Sequence, residues 1–339
     1  MSASEPLRIA VTGGAGYIGS HTATLLLEAG HEVLIVDSFL NADTDVPDRI
    51  ARIAGRAPQD ETADLTDAAA LARALRPFRP QAVIHFAGLK AVGEANEMPL
   101  EYYRVNVGGS LALFREMQEI ACNRLVFSSS ATVYGVPRQV PIPEDHPLAP
   151  TNPYGQSKRM VEQVIEDWGR AWPELAAVNL RYFNPVGAHP SAVIGEAPQG
   201  TPNNLMPYVA QVAAGWRDRL SVFGDDYDTP DGTGVRDYIH VMDLAEAHLA
   251  ALALTARAPG VHAINVGTGR GYSVMEMIRA FEAASGREIP YVITGRREGD
   301  IATSLADPAR AAERLDWRAR RALDEMCADA WRWQRGRNR

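Results

Sequence analysis

Tyr154 and Lys158 stand four residues apart in Asn152-Pro153-Tyr154-Gly155-Gln156-Ser157-Lys158. On a helix, that spacing puts both side chains on one face. A phenol beside an ammonium is a candidate base. A free tyrosine has a pKa near 10, so only about 0.1% is phenolate at pH 7. A base useful near neutrality needs a shift of roughly three units, or about 4 kcal/mol. Burial alone opposes the shift because it disfavours the anion, so positive charge must supply it. The run Ser128-Ser129-Ser130 lies upstream and offers a hydroxyl to share a substrate alcohol with the phenol. The Tyr-x-x-x-Lys spacing also occurs on ordinary amphipathic helices, so it needs a second motif beside it.

That motif is Thr12-Gly13-Gly14-Ala15-Gly16-Tyr17-Ile18-Gly19. Gly13 permits a tight turn, Gly16 lets backbone approach a pyrophosphate, and Gly19 lets the helix pack close to the strand. The helix N-terminus then presents free N–H groups to the phosphates. Asp37 ends the next apolar strand, where a carboxylate accepts a ribose 2′-OH and repels a 2′-phosphate. No arginine directly follows it, which favours NAD over NADP. Asp64 is placed to accept from adenine, although a surface carboxylate before a helix would look the same. A bound dinucleotide facing an activated phenol is equipment for moving a hydride and a proton to or from an alcohol.

The elements that must hold these groups alternate. Residues 7–12 read as a buried strand, 17–29 as a helix stopped by Gly30, and 32–36 as a second strand. Asp67 caps a helix that Pro77 closes. Residues 82–86 and 124–128 are further strands, and 99–122 reads as one long helix between them. Asn152 caps the Tyr154 helix, Pro153 suits its first position, and Val161, Val164, Ile165 and Trp168 mark its buried face. The rhythm implies a doubly wound parallel α/β sheet, with ligands beyond the strands' carboxyl ends. The glycine loop, Asp37, residues 86–90 and the serine run all sit at such ends. After Phe183 the pattern loosens, and residues 185–207 are rich in Pro, Gly and Asn, as in a smaller, loop-rich lobe. The expected division is a dinucleotide-binding domain over 1–183, with a return segment about 237–266. A smaller α/β substrate-binding lobe takes 184–236 and 267–339. Asp243 with Glu246 and Ser273 with Glu276 have capping-box spacing.

A hydrophobic fraction of 46% over 339 residues suffices for the core of one large or two coupled domains. The net charge of -8 disfavours broad nucleic-acid or anionic-membrane binding. Cys122 and Cys327 are distant and unclustered, so neither a disulfide framework nor a metal knuckle is expected, and a reduced cytoplasmic setting fits. The first six residues lack the pattern of a signal peptide, and no apolar run reaches the roughly 20 residues of a membrane span.

Nearly end to end, the chain resembles the UDP-glucose 4-epimerases (UDP-galactose 4-epimerases) of the extended short-chain dehydrogenase/reductase family. The likeness runs through residues 11–21 (VTGGAGYIGSH), 85–94 (HFAGLKAVGE), 128–135 (SSSATVYG), 181–190 (RYFNPVGAHP), 202–208 (PNNLMPY), 232–243 (GTGVRDYIHVMD) and 296–300 (RREGD). The resemblance implies that Tyr154 is the base, Lys158 its electrostatic partner and Ser130 the hydroxyl partner. It places Tyr17, Ile18, Asp37, Ser38, Asn41, Asp64, Leu65, Phe86, Ala87, Gly88, Lys90 and Phe183 on NAD. It places Lys90, Ser130, Asn184, Asn204, Leu205, Arg236 and Arg297 on the UDP-hexose, with Phe223 beside the uracil and Asp300 near the ribose. Arginine suits a diphosphate and explains how an acidic protein holds an anion.

The implied chemistry is removal of the sugar's O4 proton by tyrosinate as hydride leaves C4, rotation of the tethered 4-keto sugar, and hydride return to its other face. The resemblance further implies a homodimer through residues 99–122 and 153–170. Related 4,6-dehydratases carry an Asp-Glu pair where this chain has Ala131-Thr132, which disfavours that reaction. Ser304 occupies a position where strict epimerases have a bulky tyrosine, so room for a 2-acetamido group is expected. The competing readings are a net nucleotide-sugar oxidoreductase or decarboxylase, and a dinucleotide-sensing regulator. The regulator would have no use for Tyr154 and Lys158. His85 reads as a satisfied core histidine, His189 and His240 lack metal spacing, and Cys122 reads as a buried helix-end thiol. The basic tail 332–339 reads as a solvated helix end, and Asn106 as a bridge between strands near the cofactor.

Overall fold

The computed structural model describes residues 6–297 and 299–337. The readings of the N-terminal stretch 1–5, of Glu298 in RREGD and of Asn338 and Arg339 in the tail lie outside the described residues.

The chain begins β1 (Arg8–Thr12), α1 (Tyr17–Glu28), β2 (Glu32–Asp37), α2 (Val46–Ala54), β3 (Gln59–Thr62), α3 (Ala68–Phe78) and β4 (Ala82–His85). Then come α4 (Val92–Glu97), α5 (Pro99–Tyr102), α6 (Gly109–Glu119), β5 (Arg124–Ser128), α7 (Pro153–Ala171) and β6 (Ala176–Tyr182). Next are β7 (Asn184–Val186), α8 (Leu205–Ala213), β8 (Leu220–Phe223), β9 (Val235–His240), α9 (Val241–Arg257) and β10 (Gly260–Val266). The chain ends with β11 (Gly271–Ser273), α10 (Val274–Ser285), β12 (Tyr291–Thr294), β13 (Thr303–Ser304), α11 (Ala309–Leu315) and α12 (Leu323–Arg335).

Seven strands form one parallel sheet in the order β10-β6-β5-β4-β1-β2-β3. Alternation along β1 serves both faces. Ile9 and Val11 pack with Leu26 of α1 and Leu244 of α9, while Ala10 packs with Leu71 of α3 and Leu113 of α6. The chain leaves β1 toward β2 on one side and finds β4 on the other, so a crevice opens beyond the carboxyl end of β1. A second layer of structure uses β9 as its centre, flanked by β11, β13 and β7, and β8 pairs with β12. Its core gathers Val209, Leu220, Met277, Phe281 and Met326 from α8, β8, α10 and α12.

Three local expectations need correction. The long helix at 99–122 is broken: a wider π turn at Tyr103–Gly108 separates α5 from α6. Asn106 within it turns its side chain to Leu89, and the Ser110 hydroxyl donates to the Asn106 carbonyl at 2.5 Å. Pro77 lies inside α3, which ends where Arg79 turns left-handed. Asp243 and Glu246 do not cap α9, because His240 does so through Nδ1, which accepts from the Met242 amide at 3.0 Å. The two acids instead take Arg321. The Ser273–Glu276 capping box is present.

Candidate active site

Beyond the carboxyl ends of β1, β2 and β4 lies a cleft of about 610 Å³. The glycine loop forms its floor. Gly13 has φ +70°, and a Cβ there would lie 2.6 Å from the Ala87 nitrogen. A Cβ on Gly19 would lie 2.2 Å from the Gly13 carbonyl oxygen, so the loop folds this tightly only without side chains. Asp37 ties the loop to β2: its carboxylate accepts from the Ala15 amide at 3.0 Å and the Phe39 amide at 3.0 Å. Burial raises its pKa and those amides pull it back. Arg49 lines the same end but is committed to Asp43 at 3.1 Å and Asp45 at 2.8 Å. The Asp64 carboxyl is held below the usual carboxylate range by the Thr66 amide, with its hydroxyl and Arg104 adding to this. This donor set fits an adenine dinucleotide, with backbone amides for phosphates and oriented carboxylates for ribose and base.

Ser38, Asn41, Leu65, Phe86, Ala87, Gly88, Lys90, Gly16, Tyr17 and Ile18 also line the cleft. Phe183 does not. It packs behind, with Val133, Tyr134, Ile142 and Ala306.

Helix α7 brings the phenol and ammonium to the cleft wall. Asn152 Oδ1 accepts from the Gly155 amide at 2.8 Å, which starts the helix as expected. Tyr154 is 7% exposed and Lys158 5%. Lys158 Nζ donates to the Ser128 carbonyl at 2.9 Å and lies 6.0 Å from the Tyr154 ring centre. Burial pushes the lysine down to about 8, with the Glu162 carboxylate opposing. Burial also pushes the Tyr154 phenol well above its ordinary value. Tyr182 adds to that push, and the nearby Ser130 hydroxyl works against it. The chain alone therefore leaves this phenol protonated. The lysine's proximity does not by itself draw it down to neutrality.

The remaining expected positions lie on the second layer. Asn184 on β7 pairs with Tyr238 of β9, and Arg236 pairs with Ser304 of β13. Arg297 lies 4.6 Å over the Phe223 ring and bonds Asp300 at 3.0 Å. Arg236 is turned onto its own strand, donating to the Val235 carbonyl at 2.9 Å. Leu205 packs against the second core at the start of α8. Asn204 lines the cleft, as Lys90 does.

Two residues were missed. Glu196 joins the cleft walls: its Oε1 lies 3.4 Å from Lys90 Nζ and accepts from Asn204 Nδ2 at 2.9 Å. Tyr182 lines the cleft, and burial raises its phenol above the ordinary value. Its place one residue before Phe183, at a strand's carboxyl end, was the available signal.

The declined residues have structural partners. His85 lies between Thr12 Oγ1 at 2.7 Å and Ser110 Oγ at 2.9 Å. His240 sits 3.3 Å from Asp329, and His189 bonds Ser191 at 2.8 Å. Cys122 is buried, with its thiol pushed up to about 11. Asn106 Oδ1 accepts from the Leu89 amide at 2.8 Å while its Nδ2 donates to Ser157 at 2.9 Å, so it bridges a loop and a helix instead of two strands. In the tail, Arg337 packs against Trp216 and Trp333. Among the described residues, no helix is long and apolar enough to cross a membrane.

Residues 9–267 match the NAD dependent epimerase/dehydratase family. A UDP-glucose 4-epimerase of Bacillus subtilis is 55% identical over 328 residues, covering 97% of each chain. One of Homo sapiens is 53% identical over 335 residues, covering 97% of this chain and 96% of its own. Among solved structures, the UDP-glucose-4-epimerase of Stenotrophomonas maltophila with bound NAD and formylated UDP-arabinopyranose superposes with a TM-score of 0.95 at 50% identity, covering 97% of this chain and 98% of that one. That of Bifidobacterium longum in complex with NAD+ and UDP gives 0.94 at 47% identity, with the same coverage. With its glycine loop, acid and tyrosine–lysine pair around one cleft, the chain belongs to the NAD dependent epimerase/dehydratase family.

Proposed function

We propose that this protein interconverts UDP-glucose and UDP-galactose by transient oxidation at C4, with NAD held throughout. One observation carries the reading. A single cleft runs from the glycine loop, past Tyr154 and Lys158, to Asn204, and it belongs to a chain 53% to 55% identical to UDP-glucose 4-epimerases along almost all its length. When bound, NAD supplies the hydride acceptor and donor. The chain does the rest. Asp37 and the glycine loop orient the dinucleotide. Tyr154 takes and returns the proton at the sugar's O4, with Ser130 sharing that hydroxyl. Lys158 contributes positive charge beside the phenol, and the low exposure of both keeps water from them. Lys90, Asn204, Arg236 and Arg297 offer cations and amides to the diphosphate and uridine, and Phe223 offers a ring face to the base.

On this reading residues 1–183, with a return over about 237–266, carry the cofactor. Residues 184–236 and 267–339 carry the nucleotide sugar. Ser304 extends the substrates to the N-acetylhexosamine nucleotides, a reading supported by the small side chain in register with Arg236. Exposed Met98, Leu100, Leu111 and Met160, on α5, α6, α7 and the turn before them, support a homodimer through those helices. The two unpaired, buried cysteines support a cytoplasmic setting. The test is purified protein given UDP-galactose without added NAD. Formation of UDP-glucose establishes both the reaction and the resident cofactor, whereas no product even with NAD added would overturn the reading.

A further inference from the structure

Tyr154, Lys158 and Glu162 recur every four residues on α7 and form one stripe along it. Each member meets a different part of the serine run at the end of β5. The Ser130 hydroxyl lies near enough to Tyr154 to favour its phenolate, and accepts from the Thr132 hydroxyl at 2.9 Å. The Ser128 carbonyl accepts from Lys158 at 2.9 Å. The Ser129 hydroxyl donates to Glu162 Oε1 at 2.5 Å.

Glu162 is fully buried and is gripped from its other side by Arg181 of β6, with Nε at 3.0 Å and Nη2 at 2.7 Å. Arg181 donates onward to the Tyr134 hydroxyl at 3.1 Å and the Glu144 carbonyl at 3.0 Å. The Tyr134 hydroxyl donates to Asn265 of β10 at 2.6 Å. Packing α7 on the sheet does not require this buried pair, because Val161 and Ile165 already bury that face. An apolar pair of similar volume often packs as well as an ionic one. The carboxylate supplies direction instead. It fixes how the serine run sits against the helix, both along its axis and around it.

We propose that Glu162, with Arg181 as its fixed counter-charge, is a positioning residue for the proton transfer: it pins Ser129 and so sets Ser128 and Ser130 against Lys158 and Tyr154. It touches neither substrate nor cofactor. The inference rests on the epimerase reading above. Without the Ser129 bond, the Ser130 hydroxyl and Ser128 carbonyl lose a shared anchor, and small displacements of reacting groups cost about tenfold to a hundredfold in rate.

Ser129→Ala tests this most cleanly, because it removes the link and keeps the buried pair. Glu162→Gln is its companion and leaves Arg181 unpaired, so Ser129→Ala decides if that variant does not fold. The readouts are kcat and KM for UDP-galactose, NAD content and the denaturation midpoint. The expected result for Ser129→Ala is a kcat lower by about tenfold or more, with KM within about twofold and NAD content and midpoint unchanged. An unchanged kcat overturns the proposal. So does a loss shared by KM, NAD content and midpoint, which marks a merely structural role. Wild-type protein without turnover removes the epimerase reading and this inference with it. Normal wild-type turnover beside an unimpaired Ser129→Ala removes this inference alone.

Discussion

The Lys158 ammonium donates to the Ser128 carbonyl at 2.9 Å while standing 6.0 Å from the centre of the Tyr154 ring. The lysine is thus fixed by the strand end and reaches the phenol only as a nearby charge. Burial raises the phenol and lowers the lysine. Both ligand-free shifts oppose the catalytic ionisation states, as expected for charges taken out of water. On the proposed reading, such a site stays silent until a second positive charge arrives. The oxidised nicotinamide carries one.

Turnover is therefore expected to fall on the alkaline side. Lys158 releases its proton near pH about 8, well under its ordinary 10.5. As pH rises through that value, the charge beside the phenol is lost and kcat/KM declines. Stability moves the other way. Between about 8 and 10.5 the unfolded chain binds more protons at this group than the folded one, so its contribution to stability rises with pH. Lys158→Arg, which does not titrate in this range, should shift the alkaline limb upward. A pH profile of kcat/KM for both proteins decides, and a limb that stays in place in the variant contradicts the assignment.

Glu196 makes a separate, milder prediction. Its Oε1 contacts both Lys90 and Asn204, two residues lining the cleft. Glu196→Ala frees both, at a cost on the order of 1 kcal/mol for the lost contacts. KM for the UDP-sugar should rise about fivefold with kcat little changed. Steady-state kinetics check this, and an unchanged KM would mean that the contact is idle.

On the proposed reading, Ser304 sets substrate width. Its strand neighbour is Arg236, and on that reading a tyrosine in its place takes up the room of a 2-acetamido group. Ser304→Tyr should abolish turnover of UDP-N-acetylgalactosamine and spare UDP-galactose. If the wild-type protein does not turn over the N-acetylated sugar at high enzyme concentration, the extension fails.

Local spacing carried much of the fold. The Asn152 cap, the apolar stripe of α7 and the glycine loop are each written within one short stretch of sequence, so their geometry was legible. Partners far along the chain were not. The break before α6 involves Asn106 bonding to Leu89, 17 residues away. Asp243 and Glu246 had capping spacing, but Arg321 lies 78 and 75 residues on and claims both. Glu196 sits in a loop with no helical or strand period to place it, so only the folded chain reveals that it meets Lys90 and Asn204. The same holds for Glu162. Its position on the stripe was visible, but Ser129 and Arg181 meet it only across the sheet.

The central claim is that Tyr154 becomes a base only with the cofactor in place. The most direct measurement follows phenolate absorbance against pH in NAD-loaded wild-type protein, with NAD-loaded Tyr154→Phe as the reference. The account predicts one additional phenol ionising near neutrality in the wild type, and the loss of that transition when NAD is removed. A difference that emerges only in strongly alkaline solution, with NAD bound, would contradict it.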